Sequence, residues 1–180
     1  LLGREKKLAR YMHLPIQSGS DRVLKLMRRG YTRAQYLALL ARLRAVAPDL
    51  AVSTDFIVGY PGETEQDFRD TLSLVEEGRF TMAYCFKYSP RSDRPEMAAT
   101  IPEAGIEARL EELLAAVKTN SRVILNERIG KIEEVLFETE TYGRASGNFA
   151  VRVKGGGALG KISKVLVDGA DKNTLNGKIL

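Results

Sequence analysis

The apolar and polar positions fall into two grammars, divided near residue 120. In the first, short apolar runs alternate with segments of helical period. Residues 11–17 (YMHLPIQ) form a strand candidate that runs into the polar cluster Gln17-Ser18-Gly19-Ser20-Asp21, and Ser18 or Ser20 can cap a helix over 21–29. Val23, Leu24 and Met27 share a face of that helix, and Gly30 is placed to stop it in a left-handed conformation. Thr32 and Gln35 have capping-box spacing for a second helix with Tyr36, Leu39, Leu40 and Leu43 on one face, which Pro48 ends.

The nearly continuous apolar run Ala51–Val58 then reads as a buried parallel strand. Gly59, Pro61 and Gly62 stop it, and Thr64 caps the next helix with Glu65 and Asp67 in its first turn. Phe68, Leu72 and Val75 give that helix a buried face as far as Gly78, and 82–88 (MAYCFKY) is a third strand. Alternating strands and helices predict parallel βαβ units, and three such strands make a poor free-standing sheet, so a larger α/β domain is expected. Residues 89–101 read as a loop, and a long helix from Pro102 carries Ile106, Leu110, Leu113, Leu114, Val117, Ile124 and Leu125 as a stripe.

Beyond Gly130 the period changes to two. Residues 131–138, 149–154, 161–168 and 174–180 alternate apolar and polar, with frequent glycine between them, which predicts a small closed antiparallel barrel with Val151 and Val153 inside and Arg152 and Lys154 outside. The expected organisation is α/β plus all-β, with domains over 1–119 and 120–180.

Charge divides the chain further. Residues 1–50 hold 11 Lys/Arg against 3 Asp/Glu, 51–119 hold 7 against 13, and 120–180 hold 10 against 7, so two basic regions flank an acidic one. Basic surfaces of this kind attract polyanions, nucleic acid first. Arg28, Arg29 and Arg33 form the most basic local cluster. Lys131, Arg144, Arg152 and Lys154 offer a phosphate-tracking surface on the barrel, and Phe149 beside Asn148 is either a stacking ring at a turn or a core residue. No window approaches the roughly 18 to 20 uncharged apolar residues of a membrane span, and LLGREKKLARYM has no signal-peptide core, so a cytoplasmic protein is expected. The single cysteine, Cys85, excludes an internal disulfide or a cysteine-only cluster site, and it reads as a buried structural thiol. His13, the single histidine, reads as a hydrogen-bonded strand residue, because no carboxylate or cysteine lies near it in sequence. Ligands in α/β sheets sit past the carboxyl ends of strands, which draws attention to Asp55, Gly59 and Glu63.

Three blocks, HLPIQSGSDRVLKLMRRGYTRAQY, STDFIVGYPGETEQDF and FKYSPRSDRPEMAA, in this order and spacing, resemble the carboxyl-terminal part of a radical SAM methylthiotransferase, and the terminal barrel resembles the OB-like TRAM domain of that family. The resemblance implies the last portion of a partial (β/α) radical SAM barrel followed by TRAM. It favours the tRNA-modifying branch that adds a methylthio group to carbon 2 of isopentenylated adenosine beside the anticodon, with the threonylcarbamoyl-adenosine branch as nearest competitor. It implies S-adenosyl-L-methionine as radical source and methyl donor, and two 4Fe-4S clusters in the full-length enzyme, neither held by this chain. A fragment inactive alone is therefore expected, monomeric and bound to the tRNA anticodon stem-loop; a stand-alone RNA-binding module is the alternative. The implied cofactor-binding residues are Gln17, Ser18, Ser20, Asp55, Ile57, Gly59, Tyr88 and Ser89. Ile57 and Gly59 match the family's G-x-I-x-G-x-x-E pattern, whereas Asp55 replaces its first Gly and Gly62 its Glu. The implied RNA-binding residues are Arg28, Arg29, Lys131, Arg144, Asn148, Phe149, Arg152 and Lys154.

Overall fold

The computed structural model describes residues 2–5, 7–90 and 100–180. Most of the loop expected over 89–101 lies outside the described residues. The element order is β1 (Tyr11–His13), α1 (Asp21–Leu26), α2 (Arg33–Val46), β2 (Ala51–Val58), α3 (Glu65–Gly78), β3 (Met82–Lys87), α4 (Glu103–Asn126), then β4 (Ile132–Phe137), β5 (Tyr142–Ala145), β6 (Ala150–Val153), β7 (Ile162–Asp171) and β8 (Thr174–Ile179). The chain forms two compact units, one of His13–Leu43 and Val52–Asn120, the other of Leu1–Met12, Arg44–Ala51 and Ser121–Leu180.

The first unit centres on a three-stranded sheet of order β1-β2-β3, with β2 and β3 parallel. Strand β1 is shorter than the apolar run suggested. Pro15 has no amide hydrogen to donate, and the Leu14 carbonyl accepts from the Thr54 and Tyr36 hydroxyls instead, so pairing resumes only where Gln17 meets Phe56. One sheet face is dry: Val52, Phe56 and Val58 are fully buried, and Phe56 meets the Phe80 ring edge-on at 5.8 Å. Val23 and Leu24 of α1, Leu40 of α2, and Phe68, Leu74 and Val75 of α3 are buried in the same unit. The expected capping box is present, with Thr32 N–H donating to Gln35 Oε1 at 2.9 Å while Gln35 N–H donates to Thr32 Oγ1; Thr64 caps α3 as expected, and Asp67 completes a second box that the sequence reading did not foresee.

Helix α1 stops earlier than its sequence suggested. Arg28, not Gly30, takes the left-handed conformation at φ 58°, and the Arg28 and Arg29 amides return to the Lys25 and Leu24 carbonyls.

The second unit holds a closed barrel of order β4-β5-β6-β8-β7. Its pairs are antiparallel except β6 with β8, which run parallel, a correction to the wholly antiparallel barrel expected. The sequence reading also missed β5. Gly143 interrupts its alternation for a steric reason, since a Cβ there would lie 2.3 Å from the Leu136 carbonyl oxygen. Val135, Phe137, Ala145, Val151, Val153, Val165, Val167 and Leu175 fill the barrel, while Arg152 and Lys154 face outward.

Candidate functional site

The β2–α3 turn is built from its backbone outward. Gly59 ends β2 at φ 74°, and an added Cβ would fall within 2.9 Å of three Ile106 side-chain carbons. The Gly59 amide donates to Glu63 Oε2 at 2.9 Å, and Arg109 of α4 donates to the same oxygen at 2.7 Å. Glu63 is buried, and its Oε1 has no partner among the described residues. Burial pushes its carboxyl above the ordinary glutamate range against the pull of Gly59 and Arg109. Arg22 ties the turn to α1 by donating to the Gly62 carbonyl and to Asp67 Oδ2. Burial raises the Asp67 carboxyl, but hydrogen bonds from Arg22, Ser20 and Thr64 outweigh it and hold the group well below the usual carboxylate range.

The other sheet face is open along β3, while Ser53 on β2 is buried beneath His13. Along β2 it presents Ser53, Asp55 and Ile57; their register partners on β3 are Met82, Tyr84 and Phe86, which are 37%, 48% and 52% exposed. His13 joins this face from β1. Its Nδ1 lies 2.8 Å from Ser53 Oγ, its Nε2 lies 3.4 Å from Asp55 Oδ1, and its ring meets Tyr84 edge-on at 6.0 Å. Sequence reasoning gave His13 no acidic partner because Asp55 is distant in sequence and adjacent only across the sheet. It also overlooked Met82, Tyr84 and Phe86, whose strict alternation along β3 was the available signal.

The expected cofactor residues divide. Gln17, at φ 81°, joins β1 to β2 through its amide to the Asp55 carbonyl and its carbonyl to the Ile57 amide. Asp55, Ile57 and Gly59 follow one another along β2; Tyr88 pairs its amide with the Val58 carbonyl and packs edge-on against Tyr60 at 5.0 Å, and Ser89 is exposed. The Ser18 and Ser20 side chains do not line this face. Both are buried, Ser18 against the Thr71 hydroxyl and Ser20 donating to Asp67 Oδ1 at 2.5 Å while capping α1, so they serve helix packing.

The expected RNA-binding residues divide as well. Arg28, Arg29, Lys131, Arg152 and Lys154 are exposed, and no ion pair engages them among the described residues. Arg33 is engaged by Glu77, the Asp70 carbonyl and Ser73. Arg144 is held by Glu138 at 3.3 Å and Asn148 at 3.2 Å, which leaves its charge partly answered. Phe149 is a core residue: it is 8% exposed, packs with Val135, Val151 and Leu175, and carries the Arg128 guanidinium 4.9 Å from its ring centre. A base cannot stack on it. Tyr142, half-buried and paired with Arg152 across β5 and β6, is the aromatic residue on the outer barrel surface there.

The residues present do not fit an iron–sulfur cluster. Cys85 is the single cysteine, and its thiol is pushed up to about 11, first by burial and then by Asp55, against the thiolate character a cluster ligand needs. Among the described residues no group of three His, Cys, Asp or Glu side chains is arranged to hold a metal, and no helix is long and apolar enough to cross a membrane.

Comparison with known proteins adds to this geometry. The radical SAM superfamily profile matches residues 2–75. The chain is 42% identical over 99% of its length to the tRNA-2-methylthio-N(6)-dimethylallyladenosine synthase of Erythrobacter litoralis, and 40% identical over 97% to that of Methylococcus capsulatus. It covers 42% and 40% of those proteins, about two-fifths of the length of the curated relatives it matches. Among solved structures, coproporphyrinogen III oxidase from Escherichia coli, a radical SAM enzyme, superposes over 92% of this chain and 44% of its own with a TM-score of 0.52 at 15% identity, a likeness of fold alone. The chain is thus similar to the radical SAM superfamily over residues 2–75 and to these synthases along nearly its whole length.

Proposed function

We propose that the chain is part of a tRNA methylthiotransferase that places a methylthio group on carbon 2 of an N6-dimethylallylated adenosine beside the anticodon. The observation that carries this reading is the similarity to such synthases along nearly the whole chain. On this reading S-adenosyl-L-methionine and two 4Fe-4S clusters serve the longer enzyme, and the clusters are held by residues outside this sequence. Gln17, Gly59, Tyr88 and Ser89, at the carboxyl ends of the strands, border the cofactor with Asp55 and Ile57 beside them, where α/β sheets receive ligands. We assign residues 1–119 to a partial (β/α) radical SAM barrel and residues 120–180 to an OB-like TRAM module. Support for the latter comes from the strand order β4-β5-β6-β8-β7 with its one parallel closure, the order of a five-stranded Greek-key barrel that binds oligonucleotides.

The RNA partner is the anticodon stem-loop. Arg28, Arg29, Lys131, Arg152 and Lys154 meet phosphates, with Arg144 and Asn148 as a hydrogen-bonding pair at the barrel surface. The working form is a cytoplasmic monomer. Fluorescence anisotropy with an anticodon stem-loop tests the electrostatics. If roughly four phosphates are neutralised, log affinity falls with log salt at a slope of about −3 to −4, and Arg152→Ala with Lys154→Ala lowers that slope by about 2. Affinity unchanged between about 50 and 300 mM salt refutes it.

A further inference from the structure

The open face of the sheet carries one polar pair inside an apolar surround. His13 is engaged at both ring nitrogens. In its neutral form the two contacts require the Ser53 hydroxyl to donate to Nδ1 and Nε2–H to face Asp55; the imidazolium donates from both. In either form Asp55 Oδ1 is turned to His13, and Oδ2 has no protein donor among the described residues. The Asp55 side chain keeps 22% exposure, so the carboxylate that His13 orients is an accessible acceptor. Around it stand Ile57, Met82, Tyr84 and Phe86, three of them more than a third exposed.

Such a surface selects its ligand by exclusion. A phosphate or carboxylate is repelled by Asp55, and a bare sugar leaves the four apolar side chains wet. A planar base with one N–H donor and an apolar substituent satisfies both parts: the ring stacks on an aromatic side chain, the N–H meets the carboxylate, and the substituent covers the remaining apolar area.

We propose that this face binds the N6-alkylated adenine. Asp55 accepts the N6–H, Tyr84 stacks on the purine, and Ile57, Met82 and Phe86 cover the dimethylallyl group. His13 is a positioning residue that holds the Asp55 carboxylate. The proposal rests on the function proposed above and adds the place of the substrate base, which moves Asp55 and Ile57 from the cofactor to the substrate.

The test is an NMR titration of the chain with three nucleosides: N6-isopentenyladenosine, adenosine, and N6-methyl-N6-isopentenyladenosine, which keeps the alkyl group and lacks the N–H. Isopentenyladenosine is expected to bind roughly tenfold tighter than adenosine, with amide shifts centred on Asp55, Tyr84 and Phe86. The doubly alkylated analogue and Asp55→Asn are each expected to lose roughly five- to tenfold, because an acceptor then faces no donor or a donor faces a donor. His13→Ala loses several-fold, and His13→Gln, whose amide still donates to Asp55, recovers it. Equal binding of isopentenyladenosine and adenosine, undiminished binding of the doubly alkylated analogue, shifts confined to residues away from this face, or no nucleoside binding at millimolar concentration each overturn the proposal. The nucleoside comparisons need no variant, so a variant that misfolds leaves the test intact. A chain that binds isopentenyladenosine but no stem-loop refutes the RNA-binding barrel and leaves this site standing; one that binds RNA without nucleoside preference refutes this site alone.

Discussion

Asp67→Asn keeps the volume of the buried side chain and removes its charge, so it isolates the network that joins α1, the β2–α3 turn and α3. The carboxylate receives Ser20 Oγ at 2.5 Å and Arg22 Nε at 3.3 Å on one oxygen, and Thr64 N at 2.8 Å, Thr64 Oγ1 at 2.6 Å and Arg22 Nη2 on the other. An asparagine amide nitrogen on either side faces donors with a donor. Hydrogen bonds to a charged group contribute about 1.5 to 3 kcal/mol, and disturbing the α3 cap costs about 1 kcal/mol. Arg22 is half exposed, so its guanidinium returns to water and adds no buried-charge penalty. The expected loss is about 3 kcal/mol at neutral pH, or about 6 to 12 °C in melting temperature followed by circular dichroism. The sign with pH follows from the depressed carboxyl. Its stabilisation is fully present above the unfolded value of about 3.9 and is lost as pH falls through the lower folded value, so wild-type and variant stabilities converge in strong acid. A variant within about 0.5 kcal/mol of wild type at neutral pH, or a gap unchanged down to about pH 2, would refute the reasoning.

Phe149→Ala is expected to cost about 3 to 5 kcal/mol and to unfold the barrel unit on moderate heating, which urea denaturation followed by tyrosine fluorescence checks; an unchanged midpoint would mean that the ring is not in the core. Gly59→Ala combines a left-handed backbone with the Ile106 contact and is expected to cost about 1 to 3 kcal/mol, of which Ile106→Ala in the same chain relieves only the steric part; this is read from thermal melts of single and double variants. Alkylation of Cys85 by iodoacetamide is expected to be slow at pH 8 and to rise toward a midpoint of about 11, and a midpoint near that of a free thiol would contradict its burial.

The sequence made the helices and the central strand legible because their signals are local. Thr32 with Gln35, three residues apart, and Thr64 at the start of α3 cap as read. What escaped was set by partners distant along the chain. Ser18 and Ser20 looked like strand-end ligands until Thr71 and Asp67 of α3 claimed their hydroxyls. His13 found Asp55 only through the pairing of β1 with β2. Phe149 sits at a turn by sequence, yet the closed sheet folds it inward beneath Arg128. Strand β5 has four residues, two of them Gly143 and Arg144, and no apolar alternation to announce it.

The parallel closure of the barrel sets how that unit holds together. Strands β6 and β8 pair residues such as Ala150 with Thr174, and β4 pairs Val135 with Ser163, so neither seam is a hairpin. The meander β4-β5-β6 alone leaves Val135, Val151 and Val153 facing water until β7 and β8 arrive together, and the loop entropy of both seams must be met before either apolar face is covered. Opening is therefore cooperative: a fluctuation that frees one seam exposes the shared interior. The short β5, flanked on both sides by strands of the ring, draws its protection against hydrogen exchange from the whole unit.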